Sequence, residues 1–149
     1  MKAAPGLLAL ALAGSLASRS QADEADDSSF QASLSCRPVS GPGRILCELS
    51  TRATQGKLVW SDALVVQAPA FARPLKSRWV AQLGSPAVSG GAWAKLALVA
   101  TGLGAGKLSI LARGVVCYDG PAGESCAPVL APVTVEIRVG SPPGDASGS

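Results

Sequence analysis

Apolar and polar residues alternate along most of this chain, and a period of two commits those stretches to half-buried β-strands. Phe30, Ala32, Leu34 and Cys36 share one parity, and Gln31, Ser33, Ser35 and Arg37 share the other. Ile45, Cys47 and Leu49 repeat the pattern against Leu46, Glu48 and Ser50. Between the two lie Pro38, Gly41, Pro42 and Gly43, a turn-rich connection that makes the pair a long-loop hairpin. The same reading predicts strands at 57–60, 63–67, 75–83, 93–100, 107–118 and 129–139. In the last of these Val133, Val135 and Ile137 oppose Thr134, Glu136 and Arg138. Residues 93–100 are rich in alanine and leucine, which favour helix, but the glycines on both sides favour a short strand.

Seven or eight short strands joined by Gly/Pro turns, without a long amphipathic helix, predict an all-β fold. The architecture expected is a single antiparallel immunoglobulin-like β-sandwich. Trp60, Trp79 and Trp93 are expected as core or rim residues of it.

The N-terminus reads as an export signal over 1–22. Lys2 precedes an apolar run from Leu7 to Ala17, and Ser20, Gln21 and Ala22 supply small residues before Asp23. That run is shorter than the roughly 20 residues that span a bilayer, so no membrane insertion is expected after cleavage, and the location expected is periplasmic or extracellular. Residues 23–27 form an acidic disordered leader, 28–139 the sandwich, and 140–149 a polar, disordered tail without a large apolar group. The whole chain carries 13 Lys+Arg against 10 Asp+Glu. Cleavage removes Lys2 and Arg19, and so small a surplus argues against nucleic acid. Arg73, Lys76 and Arg78 do stand beside Trp79, but strand alternation explains them; the acidic leader folding over them is a second reading.

The chain has four cysteines and no histidine. Four cysteines allow three pairings. Cys36 and Cys47 fall on the apolar parity of neighbouring strands, which makes a buried cross-strand disulfide the natural pairing there. Cys117 shares the parity of Lys107, Ser109, Arg113 and Asp119 and so points towards water, unless a bulge at Gly114 shifts the register and turns it inward. The stretch YDGPAGES between Cys117 and Cys126 is a flexible polar turn, and a disulfide across it would be exposed and more readily exchanged. No cation, helix start or CxxC spacing activates Cys117, while Asp119 and Glu124 oppose a thiolate.

Over 106–139 a strand ends in Cys117, a short polar loop returns to Cys126, and Ala127 and Pro128 lead into a final Val-rich strand. This stretch resembles the N-terminal immunoglobulin-like domain of the bacterial transmembrane thiol-disulfide interchange protein family. The resemblance implies that Cys117 and Cys126 pass electrons from a membrane domain to periplasmic partners.

The remaining chemistry is sparse. Without histidine there is no serine triad of the usual kind, and the cysteine spacings match no common zinc site, so no metal and no cofactor are expected. Gly102 to Lys107 lacks the spacing and the Ser/Thr of a phosphate loop and reads as a hairpin turn. Asp62 stands among Leu58, Trp60, Leu64 and Val66; the reading preferred is a bend at Ser61 and Asp62 held by the aspartate side chain, with a buried functional acid as the alternative. The sequence thus points to an exported, non-catalytic module with a binding or structural role, a protein partner, and two local disulfides. The alternative is a thiol-disulfide exchange domain using Cys117 and Cys126.

Overall fold

The computed structural model describes residues 29–84 and 90–140; the expected signal, the acidic leader and residues 141–149 of the tail lie outside them. Among the described residues there are nine strands and no helix. They are β1 (Phe30–Cys36), β2 (Gly43–Ala53), β3 (Lys57–Gln67), β4 (Ala72–Pro74), β5 (Arg78–Val80), β6 (Gln82–Leu83), β7 (Gly91–Ala100), β8 (Gly104–Gly120) and β9 (Gly123–Val139). The first sheet has the order β1-β2-β7-β4, with β6 also on β7, and the second the order β5-β3-β8-β9. Every strand pairing is antiparallel. With β1, β2, β7 and β4 in the A, B, E and D places and β3, β8 and β9 in the C, F and G places, the strand order is that of an immunoglobulin-like sandwich.

Alternation builds the interior as the sequence predicts. Phe30, Ile45, Cys47 and Leu49 meet Leu96 and Leu98 from the first sheet and Leu108, Ile110, Val116 and Ile137 from the second, all buried. A fully buried side chain of this size contributes roughly 1.5–3 kcal/mol, so this set dominates the favourable side of folding. Gly114 also faces inward: a Cβ there would stand 3.0 Å from both Leu58 and the Phe30 ring, and the missing side chain makes room for them.

Three expectations need correction. The predicted strand 75–83 is divided into pieces that belong to different sheets. Pro74, which has no amide hydrogen, ends β4; Leu75 still donates to Ala97, but Ser77 accepts from Val65 of β3 and Ala81 donates to Ser61. The chain therefore crosses to the second sheet for β5 and returns for β6, which raises the count from seven or eight strands to nine.

The two predicted strands 57–60 and 63–67 are one, and Ser61 and Asp62 make no bend. Register shifts between Leu58 and Trp60 and between Val65 and Gln67 curve β3 instead. The extra residue Val59 moves the alternation by one. Leu58, Ser61 and Ala63 are buried towards the core, while Trp60, Asp62 and Leu64 fall on the outer face.

The connection 101–103 is an arch between sheets rather than a hairpin. β7 already has β2 along one edge and β4 and β6 along the other, so β8 must pair elsewhere. At the same end of the sandwich Val39 bridges Val139 in parallel, with Val39 N–H donating to Arg138 and Gly140 N–H donating to Val39.

One buried polar link joins the sheets. Ser61 Oγ donates to the Arg113 carbonyl at 2.9 Å, which leaves the Thr51 hydroxyl to donate to Ser61 Oγ across 3.0 Å. Both side chains are about 1% exposed. Ser61→Ala should therefore lower the unfolding free energy by about 1–3 kcal/mol, because it strands the Thr51 hydroxyl in the core. Adding Thr51→Val should recover part of that loss, as read from urea midpoints; equal midpoints for the single and double variants would contradict the link.

Candidate functional site

Each disulfide joins directly opposed residues. Cys36 and Cys47 face one another on β1 and β2, and Cys117 and Cys126 on β8 and β9, with Cα atoms 4.0 Å apart in both pairs. Cys47 is fully buried and Cys36 is half-buried against the core.

The position of Cys117 corrects the sequence reading in part. The register of β8 with β9 runs without a shift, so there is no bulge at Gly114 and Cys117 keeps the outward parity. It is nevertheless only 5% exposed. β8 lies between β3 and β9, with Lys57 opposite Cys117 on one side and Cys126 on the other. Cys126, on the edge strand, is exposed, so the bond offers one accessible sulfur rather than two.

Glu124 Oε1 lies 4.0 Å from Cys126 Sγ. An opened Cys126 thiolate would meet that carboxylate, and negative charge nearby raises a thiol's pKa and slows attack. Cys117, Glu124 and Cys126 also form the one grouping among the described residues whose donor atoms are close enough for a metal, within 4.8 Å. With both sulfurs bonded to each other they have no thiolate to give it.

The second feature is a cluster on the outer face of the second sheet, assembled from residues that are far apart in sequence. Asp62 sits at the centre of β3, directly opposite Arg113 on β8 and Val80 on β5; Arg78 is its diagonal neighbour on β5. Arg113 donates from Nε to Asp62 Oδ1 at 2.8 Å and from Nη2 to Oδ2 at 2.6 Å. Arg78 donates from Nε to the same Oδ2 at 2.6 Å. Both guanidinium groups stand over the Trp60 ring, 5.7 Å from its centroid for Arg113 and 5.9 Å for Arg78. Together these groups leave Asp62 0% exposed, while Arg113 remains 33% and Arg78 51% exposed. Burial alone would raise the Asp62 carboxyl, but the hydrogen bonds and charges of Arg113 and Arg78 outweigh it and hold the group below its ordinary value.

The outer faces of the two sheets differ. On the first, Gln31, Ser33, Ser35, Arg44, Glu48, Arg52 and Lys95 are polar, with Leu46 at 43% exposed and Trp93 beneath Lys95 as its large apolar groups. On the second, Leu64 and Leu111 sit half-buried beside the arginine cluster, and Val80 at 59% and Leu130 at 56% exposed stand at the two ends of the row through Asp62 and Arg113. Pro128 and Pro132 flank Leu130 on β9. They also protect its edge. Arg138 and Gly140 use their outward backbone groups to bond Val39, so every second residue back along β9 faces away from β8, and two of those positions are proline without an amide hydrogen.

Sequence reasoning placed Cys36, Cys47, Cys117 and Cys126 in the disulfides and missed the arginine cluster. A signal for it existed: Asp62 and Arg113 are each a lone charge in the middle of a long apolar strand. Trp60 and Trp93 lie on outer faces, whereas Trp79 packs partly against the core.

No family model and no curated protein matches this chain. Among solved structures it is similar to the crystal structure of AggA, the major subunit of aggregative adherence fimbriae type I from Escherichia coli, with 12% sequence identity. The match covers 74% of this chain and 95% of that one, at a TM-score of 0.28. So low a score carries no inference about what this chain does.

Proposed function

We propose that the protein is an exported, non-catalytic β-sandwich that binds a protein partner through the outer face of β5-β3-β8-β9. The observation that carries this reading is the difference between the two outer faces: Leu64, Leu111, Val80 and Leu130 around Trp60 and two arginines held by Asp62 on one, and a mainly polar surface with Leu46 and Trp93 on the other. Contiguous exposed apolar surface, with aromatic and arginine side chains within it, is what protein interfaces use. Two disulfides in so small a sandwich support an oxidising, exported setting. Strand addition at β9 is disfavoured by Pro128 and Pro132, which leaves the sheet face rather than that edge for the partner.

The test places a photo-crosslinking amino acid at Val80 or Leu130 and, as controls, at Ser33 or Glu48. In cells that produce the protein, discrete adducts should arise from Val80 and Leu130 only. Adducts confined to Ser33 or Glu48 would transfer the function to the first sheet.

One observation favours a second reading, thiol-disulfide exchange: the Cys126 sulfur is exposed on an edge strand. The neighbouring Glu124 and the burial of Cys117 weigh against it. Under graded dithiothreitol poises, with alkylation and peptide mapping, the binding reading expects both bonds to persist until the protein unfolds. Reduction of Cys117 and Cys126 in the folded protein at a mild poise would favour exchange.

A further inference from the structure

We propose that Arg78, Arg113 and Trp60 form a preorganised site for a carboxylate presented from an apolar protein surface, an aspartate or glutamate side chain or a chain terminus. This deepens the reading above and rests on it.

The inference starts from what Asp62 leaves over. A guanidinium carries five N–H donors. Asp62 engages Nε and Nη2 of Arg113 but only Nε of Arg78. Arg113 Nη1 and both terminal nitrogens of Arg78 have no partner among the described residues, and both side chains remain partly exposed. Two positive charges against one negative leave the cluster one charge in surplus. The other described acids near this sheet are engaged or remote: Glu136 pairs with Arg138, and Asp119 and Glu124 oppose each other at the far end of the β8–β9 hairpin.

The same contacts fix the arginines in place. Asp62 draws both guanidinium groups to one oxygen atom, and both lie against the Trp60 ring, 5.9 Å and 5.7 Å from its centroid. Ordering a flexible side chain is a large part of what binding ordinarily opposes, and here folding has already done it. Leu64, Leu111, Val80 and Leu130 surround the cluster, so a partner covering them would exclude water and strengthen the charge contact. A planar carboxylate matches the donor fork of a guanidinium. A nucleic-acid backbone does not fit, because one surplus charge within an apolar rim cannot follow a row of phosphates.

The test is a nuclear magnetic resonance titration of the full mature chain with N-acetyl-leucine, a small apolar carboxylate, and with its neutral amide. The carboxylate should shift the Nε–H signals of Arg78 and Arg113 and the Trp60 indole N–H in a saturable way, and the amide should not. Arg78→Gln should weaken binding about tenfold or more, the size of one charge-assisted hydrogen bond. Arg78→Lys, which retains the charge but lacks the fork, should weaken it as well and guards against a fold defect in the first variant. Equal shifts from acid and amide, or equal shifts at Arg44 and Arg52 on the other sheet, would overturn the assignment. If neither probe binds while crosslinking from Val80 persists, the carboxylate site is wrong and the binding face stands.

Discussion

Replacing Cys36 and Cys47 together by alanine lowers the unfolding free energy by about 2–4 kcal/mol, a large share of a small domain's margin of roughly 5–15 kcal/mol. The bond closes a short loop, with the two cysteines 11 positions apart, and its loss frees the unfolded chain from that constraint. A second contribution acts on the folded state, since Cys47 is fully buried and alanine leaves part of its volume empty. The same exchange at Cys117 and Cys126, 9 positions apart, releases a comparable loop, but Cys126 is exposed and Cys117, though only 5% exposed, lies on the outward parity and not in the core cluster that holds Cys47. The first pair should therefore be the more destabilising. Guanidinium unfolding of the two double variants checks the order, and an unchanged midpoint for the Cys36 and Cys47 variant would contradict it.

Replacing Arg113 by alanine destabilises the protein more than replacing Arg78 at neutral pH, and the deficit of both variants narrows in acid. Arg113 supplies two hydrogen bonds to Asp62 and Arg78 one. Removing both strands Asp62 as a buried charge, a situation that costs about 3–5 kcal/mol in general, and less where solvent can enter through the space left by the exposed Arg78. The pH dependence follows from the lowered Asp62 value. A carboxyl whose folded pKa lies below its unfolded value of 3.8 contributes fully above that value, and the contribution is lost as pH falls through the folded pKa. Stability of the native protein should thus hold from neutrality to about pH 5 and fall steeply below about pH 4. In Arg113→Ala the fall below about pH 4 should be shallower, because the remaining Arg78 lowers the carboxyl less against the same burial and less stability depends on its charge. Thermal unfolding from pH 7 to pH 3 tests this, and superimposable profiles for the two proteins would contradict it.

Much of the fold was legible because burial in a sandwich imprints a period of two. β1 and β2 fall where alternation and turn residues put them. β8 and β9 do so too, except that the expected polar turn 118–125 is paired strand on both sides of a connection at Pro121 and Ala122, because the ladder that begins at the other end of the pair runs on without a shift. Where alternation failed, a local irregularity had intervened. The extra residue Val59 moved Trp60 and Asp62 to the outer face, and nothing in the types of its neighbours announces a bulge. The segment 75–83 reads as one strand because neighbouring residues suit a strand in either sheet; the crossing is set by which edges of β7 and β3 are free. The Cys117 parity was read correctly, yet its exposure was not, because exposure depends on β8 lying between two strands rather than at an edge. The cluster around Asp62 depends on register across three strands, which no single stretch of sequence contains.

The most direct measurement compares crosslink yield from a photo-reactive residue at Val80 in three backgrounds: the otherwise native protein, Leu130→Asp, and Cys117→Ser with Cys126→Ser. All three are first checked for native folding by circular dichroism. If the protein works through the face of the second sheet, the adduct survives the cysteine exchange and is lost when a negative charge is placed at Leu130, directly opposite Arg113. An adduct that disappears with the cysteines and persists with Leu130→Asp would contradict the binding face and turn attention to thiol chemistry.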